Sequence, residues 1–298
     1  MKVLKWVGIV IGTLFGLLVI SALVLYGLAT TRLNRNYNIQ VEDIPIPTDQ
    51  AALERGKYLV ENVSACIGCH TEDLGGEFFF NDPSIGQVYS ANLTSGQGGV
   101  GEEYGDEDWV RALRHGVSPD GKGVMIMPSQ NFHYLTDEDL GAMIAYLKSV
   151  PAIDRESPEP EFTFMSKMLF ALGTLGKMPV ERIDHDATRP VAITSGVTVE
   201  YGEYLSYLGT CRDCHGMELN GGSPAPGEPY APNLTPGGEL IGWTEEDFLT
   251  AMKTGVKPSG SSMNEGMPWE LYDGMNDDDL RALFVYLQSL PALESAPQ

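Results

Sequence analysis

The sequence predicts an all-α protein in which an N-terminal transmembrane helix precedes two tandem domains of one type. Three observations predict this organisation. An uncharged apolar stretch of 23 residues runs from Trp6 to Leu28. The remainder contains a repeat of about 95 residues per unit, and each unit places apolar residues at helical spacing. No stretch shows the alternating pattern that is typical of a half-buried strand.

Residues 1–36 are predicted to form a membrane anchor. At about 1.5 Å per residue, an uncharged helix of this length can cross a hydrocarbon layer of about 30 Å. A cleaved signal peptide is the alternative, although its apolar region usually covers only about 7–15 residues. The flanking basic residues are balanced and leave the orientation open. They are Lys2, Lys5, Arg32 and Arg35.

The chain is strongly acidic, with 41 Asp and Glu residues against 19 Lys and Arg residues and a net charge of −22. Nucleic-acid binding requires a basic surface, so the composition argues against that function. The same charge favours redox protein partners with basic docking surfaces. Four cysteines in 298 residues are too few for a disulfide-rich secreted fold.

Two copies of one series of motifs divide the rest of the chain into a first domain at residues 48–153, a linker at 154–198 and a second domain at 199–294. Each domain is predicted to end in a helix with a polar cap, Thr136 in the first and Asn276 in the second. Apolar residues follow each cap at i, i+3, i+4 and i+7. They are Leu140, Met143, Ile144 and Leu147, matched by Leu280, Leu283, Phe284 and Leu287.

The linker also contains apolar residues at helical spacing. We expect them to form a helix that packs against one domain. A docking surface for a partner subunit or for the membrane interface is the alternative. The residues are Met165, Met168, Leu169, Leu172 and Leu175.

Each domain contains one Cys-x-x-Cys-His motif, the attachment signature of c-type haem. Two thiols on one short helical turn can each bond a vinyl group of a porphyrin, and the histidine that follows can bind the iron. A zinc site would need further Cys or His ligands at short spacing, and a structural disulfide would not explain a histidine in both copies. The sequence therefore predicts two covalently attached haems c. The residues that hold them are Cys66, Cys69 and His70 in the first domain and Cys211, Cys214 and His215 in the second.

The sixth ligand of each iron is predicted to be the methionine of a Met-Pro pair, because thioether sulfur suits haem iron. Met127 and Met267 both precede proline, and both lie nine residues before the cap of the last helix. Met125 and Met275 are the nearest rivals, but neither has a methionine counterpart in the other domain.

The other histidines and the recurrent polar triplets have structural roles as their simplest interpretation. His115 or His133 would give one bis-histidine haem as an alternative, and His185 is expected to be solvated in the linker. The Asn-Leu-Thr triplets at 92–94 and 233–235 match glycosylation sites, but their recurrence favours backbone hydrogen bonds or packing on the porphyrin. Two aromatic pairs are expected beside the haem edges and in the cores, respectively. They are Tyr89 with Tyr230 and Trp109 with Phe248.

Each domain resembles a class I c-type cytochrome, an all-helical fold with Cys-x-x-Cys-His near its start and a Met-Pro ligand loop before its last helix. The resemblance implies that His70 and His215 are the proximal ligands and that Met127 and Met267 are the distal ones. The domain order, the triplet loops and the apolar linker are similar to those of the cytochrome subunit of bacterial membrane-bound alcohol and gluconate dehydrogenases. That subunit usually has three haem domains, and this chain has two. In that family haem is attached outside the cytoplasmic membrane, which implies haem domains on the periplasmic side.

The predicted function is electron transfer. A membrane-tethered two-haem cytochrome would relay single electrons between a dehydrogenase or quinol-oxidising complex and a terminal oxidase or another acceptor, alone or as a subunit of such a complex. No catalytic residue is predicted. A two-haem cytochrome c peroxidase is the alternative, because the two motifs lie 145 residues apart, a spacing that resembles that family. Such an enzyme needs one haem with an open sixth position, whereas both domains offer a methionine.

Overall fold

The chain begins with a single long helix, α1 (Lys2–Leu33), in the computed structural model, which describes residues 2–223 and 229–297. Most side chains of α1 are exposed, and its length and composition would allow it to cross a membrane. Its last turn is fastened to the linker. There the Arg32 guanidinium donates to the Glu181 carboxylate and, at 3.2 Å, to the Phe170 carbonyl oxygen.

The rest of the chain is mainly helical, with one group of helices around each Cys-x-x-Cys-His motif. The first half contains α2 (Gln50–Tyr58), a π-helical turn (Leu59–Val63), α3 (Ile67–His70), α4 (Asp106–His115), α5 (Ser129–Phe132) and α6 (Asp137–Ser149). The linker contains α7 (Phe164–Ala171) and a 3₁₀ turn (Pro179–Glu181). The second half contains α8 (Val199–Leu208), α9 (Cys211–His215), α10 (Glu245–Thr254), a 3₁₀ turn (Trp269–Leu271) and α11 (Asp277–Ser289).

The predicted caps of the two last helices are confirmed. The Thr136 hydroxyl accepts from the backbone N–H of Asp139 at 3.1 Å, and the Asn276 side-chain oxygen accepts from that of Asp279 at 2.8 Å. Each cap satisfies one of the N–H groups that a helix leaves unpaired at its start. The acidic first turns of α6 and α11 also complement the positive end of the helix dipole.

The first and last helices of each half cross at a glycine. Helix α2 packs against α6, and α8 packs against α11. A Cβ atom on Gly56 would lie 2.0 Å from the Ala142 carbonyl oxygen, and one on Gly202 would lie 2.0 Å from that of Ala282. Only glycine permits this close approach of two backbones. The repeated glycine therefore sets the same helix crossing in both halves.

The π-helical turn absorbs one extra residue in the first half. Between the crossing glycine and the first motif cysteine, the first half has one residue more than the second. The Ser64 N–H donates to the carbonyl of Leu59, five positions earlier, at 2.8 Å. At the matching point, the Gly209 N–H donates to that of Leu205, four positions earlier, at 2.8 Å. A π turn accommodates the added residue within the helix, so both motifs leave their first helices in equivalent places.

A small antiparallel sheet shows that the all-α prediction is wrong in one region. Strands β1 (Phe78–Asp82), β2 (Gly86–Tyr89) and β3 (Glu161–Phe162) lie in the order β1-β2-β3. Phe80 pairs with Val88, and Gly86 pairs with Phe162. Strand β1 exposes most of its residues on both faces, so it lacks the alternation on which the sequence prediction depended.

A linker helix forms over Phe164–Ala171, shorter than the predicted run to Leu175, and it packs against α1 and not mainly against the helices around either Cys-x-x-Cys-His motif. Phe170 on α7 is buried in a small second core with Val117, Met178 and Val180. The end of α1 and the residues after it cover this core through Leu33, Tyr37 and Ile39. The main core is continuous between the two halves.

Candidate haem sites

The two Cys-x-x-Cys-His motifs share one local backbone. Each follows a non-glycine residue in the left-handed region, Ala65 at φ 48° and Thr210 at φ 53°. This region is uncommon for residues with a Cβ, so its recurrence indicates that the same local turn is preserved in both copies. In the first motif, the His70 N–H then donates to the Cys66 carbonyl at 2.8 Å, which places both cysteines and the histidine on one turn.

A backbone carbonyl orients the motif histidine in each half. His70 Nδ1 lies 2.8 Å from the Ala91 carbonyl oxygen, and His215 Nδ1 lies 2.8 Å from that of Pro232. A carbonyl oxygen only accepts hydrogen bonds, so Nδ1 carries the proton and Nε2 presents its lone pair. This outer hydrogen bond is the usual way in which a metal-binding histidine is held. Burial lowers the pKa of both imidazoles and favours the neutral form that binds iron.

The cysteine thiols lie in apolar surroundings. Burial raises the pKa of Cys66 to about 12 and that of Cys211 to about 11. Both side chains pack against the main core, as do Met127 and Met267. Each half thus offers two thiols, an oriented imidazole nitrogen and a thioether sulfur, and this donor set fits a covalently attached haem. The buried Trp109 Nε1 also has no acceptor within the described chain.

Met127 and Met267 occupy the same tight turn. The Met127 carbonyl accepts from the Ser129 N–H at 2.8 Å, and the Met267 carbonyl accepts from the Trp269 N–H at 2.8 Å. The intervening prolines have φ and ψ of −79° and 53° in the first half and of −80° and 62° in the second. These angles are those of an inverse γ-turn, so the two Met-Pro pairs hold their methionines on equivalent backbone.

The rival methionines lie in different environments. Met125 packs on the second core beside the linker, away from the main core that Met127 contacts. Met275 is buried in the main core at the position that Leu135 occupies in the first half, where both side chains are at most 2% exposed. An aliphatic residue at the matching position indicates that Met275 fills space. The placement therefore favours Met127 and Met267.

Comparison with protein families agrees with the presence of the same set of thiol, imidazole and thioether groups in both halves. The model of the family described as cytochrome c matches residues 53–151 and 199–291, which together make up more than half of the chain. The chain belongs to the cytochrome c family.

Individual relatives show which cytochromes of this family the chain is similar to. The cytochrome c subunit of the quinone-dependent alcohol dehydrogenase of Gluconobacter oxydans is 32% identical over 274 residues, covering 82% of this chain and 56% of the relative. The fructose dehydrogenase cytochrome subunit of Gluconobacter japonicus is 29% identical over 286 residues, covering 86% and 56%. The gluconate 2-dehydrogenase cytochrome c subunit of Pantoea cypripedii is 26% identical over 277 residues, covering 83% and 62%. The predicted resemblance is confirmed, and this cytochrome spans a little over half the length of these relatives.

The remaining histidines of this cytochrome form a cluster of their own. His115 Nδ1 lies 3.0 Å from His185 Nδ1, and His115 Nε2 lies 3.2 Å from the Glu42 carboxylate. His133 Nδ1 lies 3.3 Å from the Arg114 carbonyl oxygen. Burial, the largest cause, lowers the pKa of His115 to about 3. These contacts disfavour a bis-histidine haem, and the expectation that His185 is solvated is wrong because it is half-buried.

The Asn-Leu-Thr triplets fasten the chain that follows each last helix. The Asn92 amide donates to the Ile153 carbonyl at 2.7 Å while its oxygen accepts from the Thr94 N–H at 2.9 Å. Asn233 makes the matching contacts with Leu293 and Thr235, each at 2.8 Å. Both asparagines are at most 2% exposed, so neither side chain presents a glycosylation site.

The predicted aromatic pairs of this cytochrome differ in their outcome. Trp109 and Phe248 are buried in the main core, as expected. Tyr89 packs edge-on against Phe78 with ring centroids 5.4 Å apart, and the Tyr230 hydroxyl donates to the Ala296 carbonyl at 2.9 Å. Their position beside the haem edges stays a prediction.

The two halves of this cytochrome also meet through their motifs, a feature that the sequence analysis missed. The Asn131 amide, just after the first Met-Pro turn, donates to the Asp213 carboxylate inside the second motif at 2.6 Å. In the reciprocal place, Gly68 inside the first motif faces Leu271, just after the second Met-Pro turn. Each motif therefore contacts the segment just after the Met-Pro turn of the other half.

Paired tyrosines and aspartates complete this interface. The Tyr58 hydroxyl donates to the Asp279 carboxylate, and the Tyr204 hydroxyl donates to the Asp139 carboxylate, each at 2.7 Å. Arg55 also binds Asp139 through two hydrogen bonds of 2.8 and 2.9 Å. Each tyrosine lies two residues after the crossing glycine of its half, and each aspartate lies three residues after the cap of its last helix. The sequence repeat thus pairs them, but it carries no signal that each tyrosine bonds to the opposite half.

Proposed function

We propose that this cytochrome is a membrane-tethered two-haem electron carrier. It would relay single electrons between a dehydrogenase or quinol-oxidising complex and a terminal oxidase or another acceptor. The observation that carries the proposal is that both halves contain two thiols, an imidazole and a thioether, with the same histidine orientation and the same Met-Pro turn. The chain would form two tandem class I domains, residues 48–153 and 199–294, after an anchor at 1–36 and around a linker at 154–198.

Each domain would hold one haem c, which supplies reversible one-electron chemistry when bound. Cys66 and Cys69 would fix the first haem covalently, and Cys211 and Cys214 would fix the second. His70 and His215 would bind iron through Nε2, because Nδ1 is engaged by a backbone carbonyl. Met127 and Met267 would supply the sixth ligand, and their soft sulfur favours the reduced iron.

The interface between the halves supports a relay through both haems. The Asn131–Asp213 hydrogen bond and the Gly68–Leu271 contact bring each haem-attachment motif against the opposite ligand loop. One hydrophobic core runs through both halves, and Leu271 packs against it, so packing would hold the two sites at a fixed relative position. A fixed arrangement suits electron transfer between the haems without a diffusional step.

The partner would be a dehydrogenase complex. Three relatives are named as cytochrome subunits of alcohol, fructose and gluconate dehydrogenases, and this chain would serve a dehydrogenase in the same way. The net charge of −22 would attract a redox partner with a basic docking surface and speed its association at low salt.

The haem domains would lie on the periplasmic side of the cytoplasmic membrane. Retention of the anchor is supported by the contacts between its last turn and the folded linker, in which Arg32 binds both Glu181 and the Phe170 carbonyl. The peroxidase alternative is not supported, because both halves offer a methionine on the same turn and none of these relatives is named a peroxidase.

Reoxidation kinetics test the proposal. The reduced full-length protein in detergent is mixed with an oxidised basic cytochrome c, and the matched control is an acidic cytochrome c of similar potential. Both haems should be reoxidised, and the rate with the basic probe should fall steeply with salt because the Debye length is only about 8 Å at physiological ionic strength. Rapid, saturable peroxide turnover by the reduced protein, with one haem becoming high-spin, would contradict the carrier function.

A further inference from the structure

The linker helix α7 and the turn that follows it expose large apolar side chains beside α1. Phe164 and Met165 are 56% and 54% exposed, and Leu172 and Leu175 are 62% and 46% exposed. The opposite side of α7 is buried through Ser166 and Phe170. Apolar side chains grouped on one surface in this way mark an interaction site more often than scattered ones do.

Ring contacts fix the level of α7 along α1. The Phe164 ring stacks on the Tyr26 ring, with centroids 5.7 Å apart and planes 19° apart. The Lys167 ammonium lies 5.7 Å from the centroid of the same Tyr26 ring. Tyr26 belongs to the last turns of the uncharged stretch that ends at Leu28. Helix α7 therefore starts level with the end of the apolar part of α1, where tyrosine and lysine side chains are typical of a membrane–water boundary.

The charge distribution separates this region from the rest of the chain. Residues 162–180 contain two lysines and no Asp or Glu, and residues 1–41 also contain no Asp or Glu, although the whole chain has 41 acidic residues. Arg32, Arg35 and Lys177 line one cavity next to α7 together with Glu181, which is paired with Arg32, so Arg35 and Lys177 supply its excess positive charge. The two acid-free segments are those that pack together. A lipid surface with anionic headgroups attracts this combination of basic and apolar groups.

We infer that α7 lies in the membrane interface beside α1, with its exposed apolar side chains in the boundary between headgroups and acyl chains. The inference rests on the proposed anchor, since α1 must cross the membrane for α7 to reach this level. Contact of α7 with the interface would add to the packing of α1 on the linker and further restrict the tilt of the first half against the membrane. A second copy of the chain or a partner subunit on the same surface would contradict the inference.

Labelling from the lipid phase tests this arrangement. The full-length protein is reconstituted in vesicles of phosphatidylethanolamine and phosphatidylglycerol and exposed to a photoactivated lipid-soluble diazirine, and labelled residues are mapped by mass spectrometry. Residues 164–175 should be labelled together with α1. Met217 and Ile241, which are 63% and 66% exposed in the second half, should stay unlabelled. Labelling of α7 no stronger than that of Met217 overturns the inference, including the case in which α7 is protected by a second copy or a partner.

A matched pair of variants separates the two claims. The double substitution Met165→Glu and Leu172→Glu changes exposed side chains and should reduce labelling of α7 several-fold while α1 stays labelled. The control Ile241→Glu should change neither. If α1 is labelled and α7 is not, the inference fails and the proposed anchor stands. If α1 itself is unlabelled, the proposed anchor fails. Dichroism of the haem absorption in oriented membranes gives a second readout, because loss of the α7 contact should reduce it.

Discussion

In the first half, the loop between α4 and α5 pairs Val117 with Gly123, and in the second half the corresponding loop pairs Val256 with Ser262. The first loop receives the chain that leaves α1, since the Tyr37 N–H donates to the Gly121 carbonyl at 2.8 Å. The second loop keeps the same turn, with Gly260 at the position of Gly121. A Cβ atom on Gly260 would lie within 4 Å of no other described residue, so no segment of the described chain packs on the second loop at this point.

This difference recurs throughout the molecule. The groups that orient candidate haem ligands are the same in both halves, down to the carbonyl that holds each histidine and the γ-turn that holds each methionine. Among the described residues, the features found in the first half alone, namely the sheet, the histidine cluster and the contacts to α1, lie on the side that meets the linker. The two halves therefore share the backbone that holds the candidate ligands and differ in their contacts with α1 and the linker.

The largest expected effect comes from removing one attachment motif. Replacing Cys66 and Cys69 with serine, or Cys211 and Cys214 with serine, should lower the haem content from two per chain to one, because each half carries its own thiols. Because the main core runs through both halves, each variant should also lower the midpoint of unfolding of the whole protein. The haem-to-protein ratio and thermal unfolding measure these effects. A wild-type ratio near one, or haem that extracts into acidified organic solvent, would contradict the prediction.

The second effect tests whether the two methionines are equivalent. Met127→His and Met267→His should each keep haem attached, since the thiols and the proximal histidine are unchanged. Each should lower the potential of one haem, on the order of 0.1–0.3 V within the roughly 0.8 V that axial ligands span, and leave the other nearly unchanged. Potentiometric titration measures both.

Leucine substitutions supply the controls for this pair. Met125→Leu and Met275→Leu should change either potential much less, because these side chains pack in the second core and at a leucine position, respectively. The assignment is wrong if Met127→Leu or Met267→Leu leaves the near-infrared sulfur–iron band of its haem intact.

The smallest expected effect concerns the two matched aspartates at the interface, Asp139 and Asp279. Asp139 is paired with Arg55, so Asp139→Asn leaves a largely buried guanidinium without its carboxylate and should lower the free energy of unfolding by about 3 kcal/mol. Burial raises the pKa of the Asp279 carboxyl above its ordinary value, although the hydrogen bond from Tyr58 and the charge of Arg55 oppose this. The ionised form of Asp279 is therefore a cost to the folded state.

The raised pKa of the Asp279 carboxyl makes the stability of the folded protein depend on pH. A raised pKa in the folded state stabilises the protein below the unfolded pKa, which is about 4 for aspartate, and this contribution is lost as the pH rises through the folded pKa. The variant Asp279→Asn has no carboxyl group to ionise at this position. Its free energy of unfolding should therefore increase relative to that of the wild type between about pH 4 and neutrality. Denaturant unfolding at several pH values measures this, and a stability difference that is flat with pH would refute it.

The sequence alone predicted the parts of this molecule that depend on local chemistry. The motifs at Cys66 and Cys211, the caps at Thr136 and Asn276 and the helical linker all carry short-range signals, because each places particular residue types at fixed spacing. The motif and cap signals occur in both repeats, so each of these features has two examples in the sequence.

The features that were missed depend on pairing between distant residues. Strand β1 pairs along an exposed edge and has no burial alternation, and the tyrosines of the interface resemble ordinary core residues until the opposite half is placed beside them. His185 was assigned to solvent because a linker position does not reveal its contact with His115. Tertiary pairing of this kind leaves no periodic mark in a single sequence.

The reciprocal interface has a consequence for the order of maturation. Tyr58 and Asp279 are 221 positions apart, and a chain emerges from its N-terminus during synthesis. When the first motif appears, the Leu271 side chain that covers Gly68 in the folded protein has not yet been made. The second motif appears when its cover, Asn131, is already present. The two candidate sites therefore differ in the order of synthesis: the residue that covers the first motif is made after it, and the residue that covers the second motif is made before it.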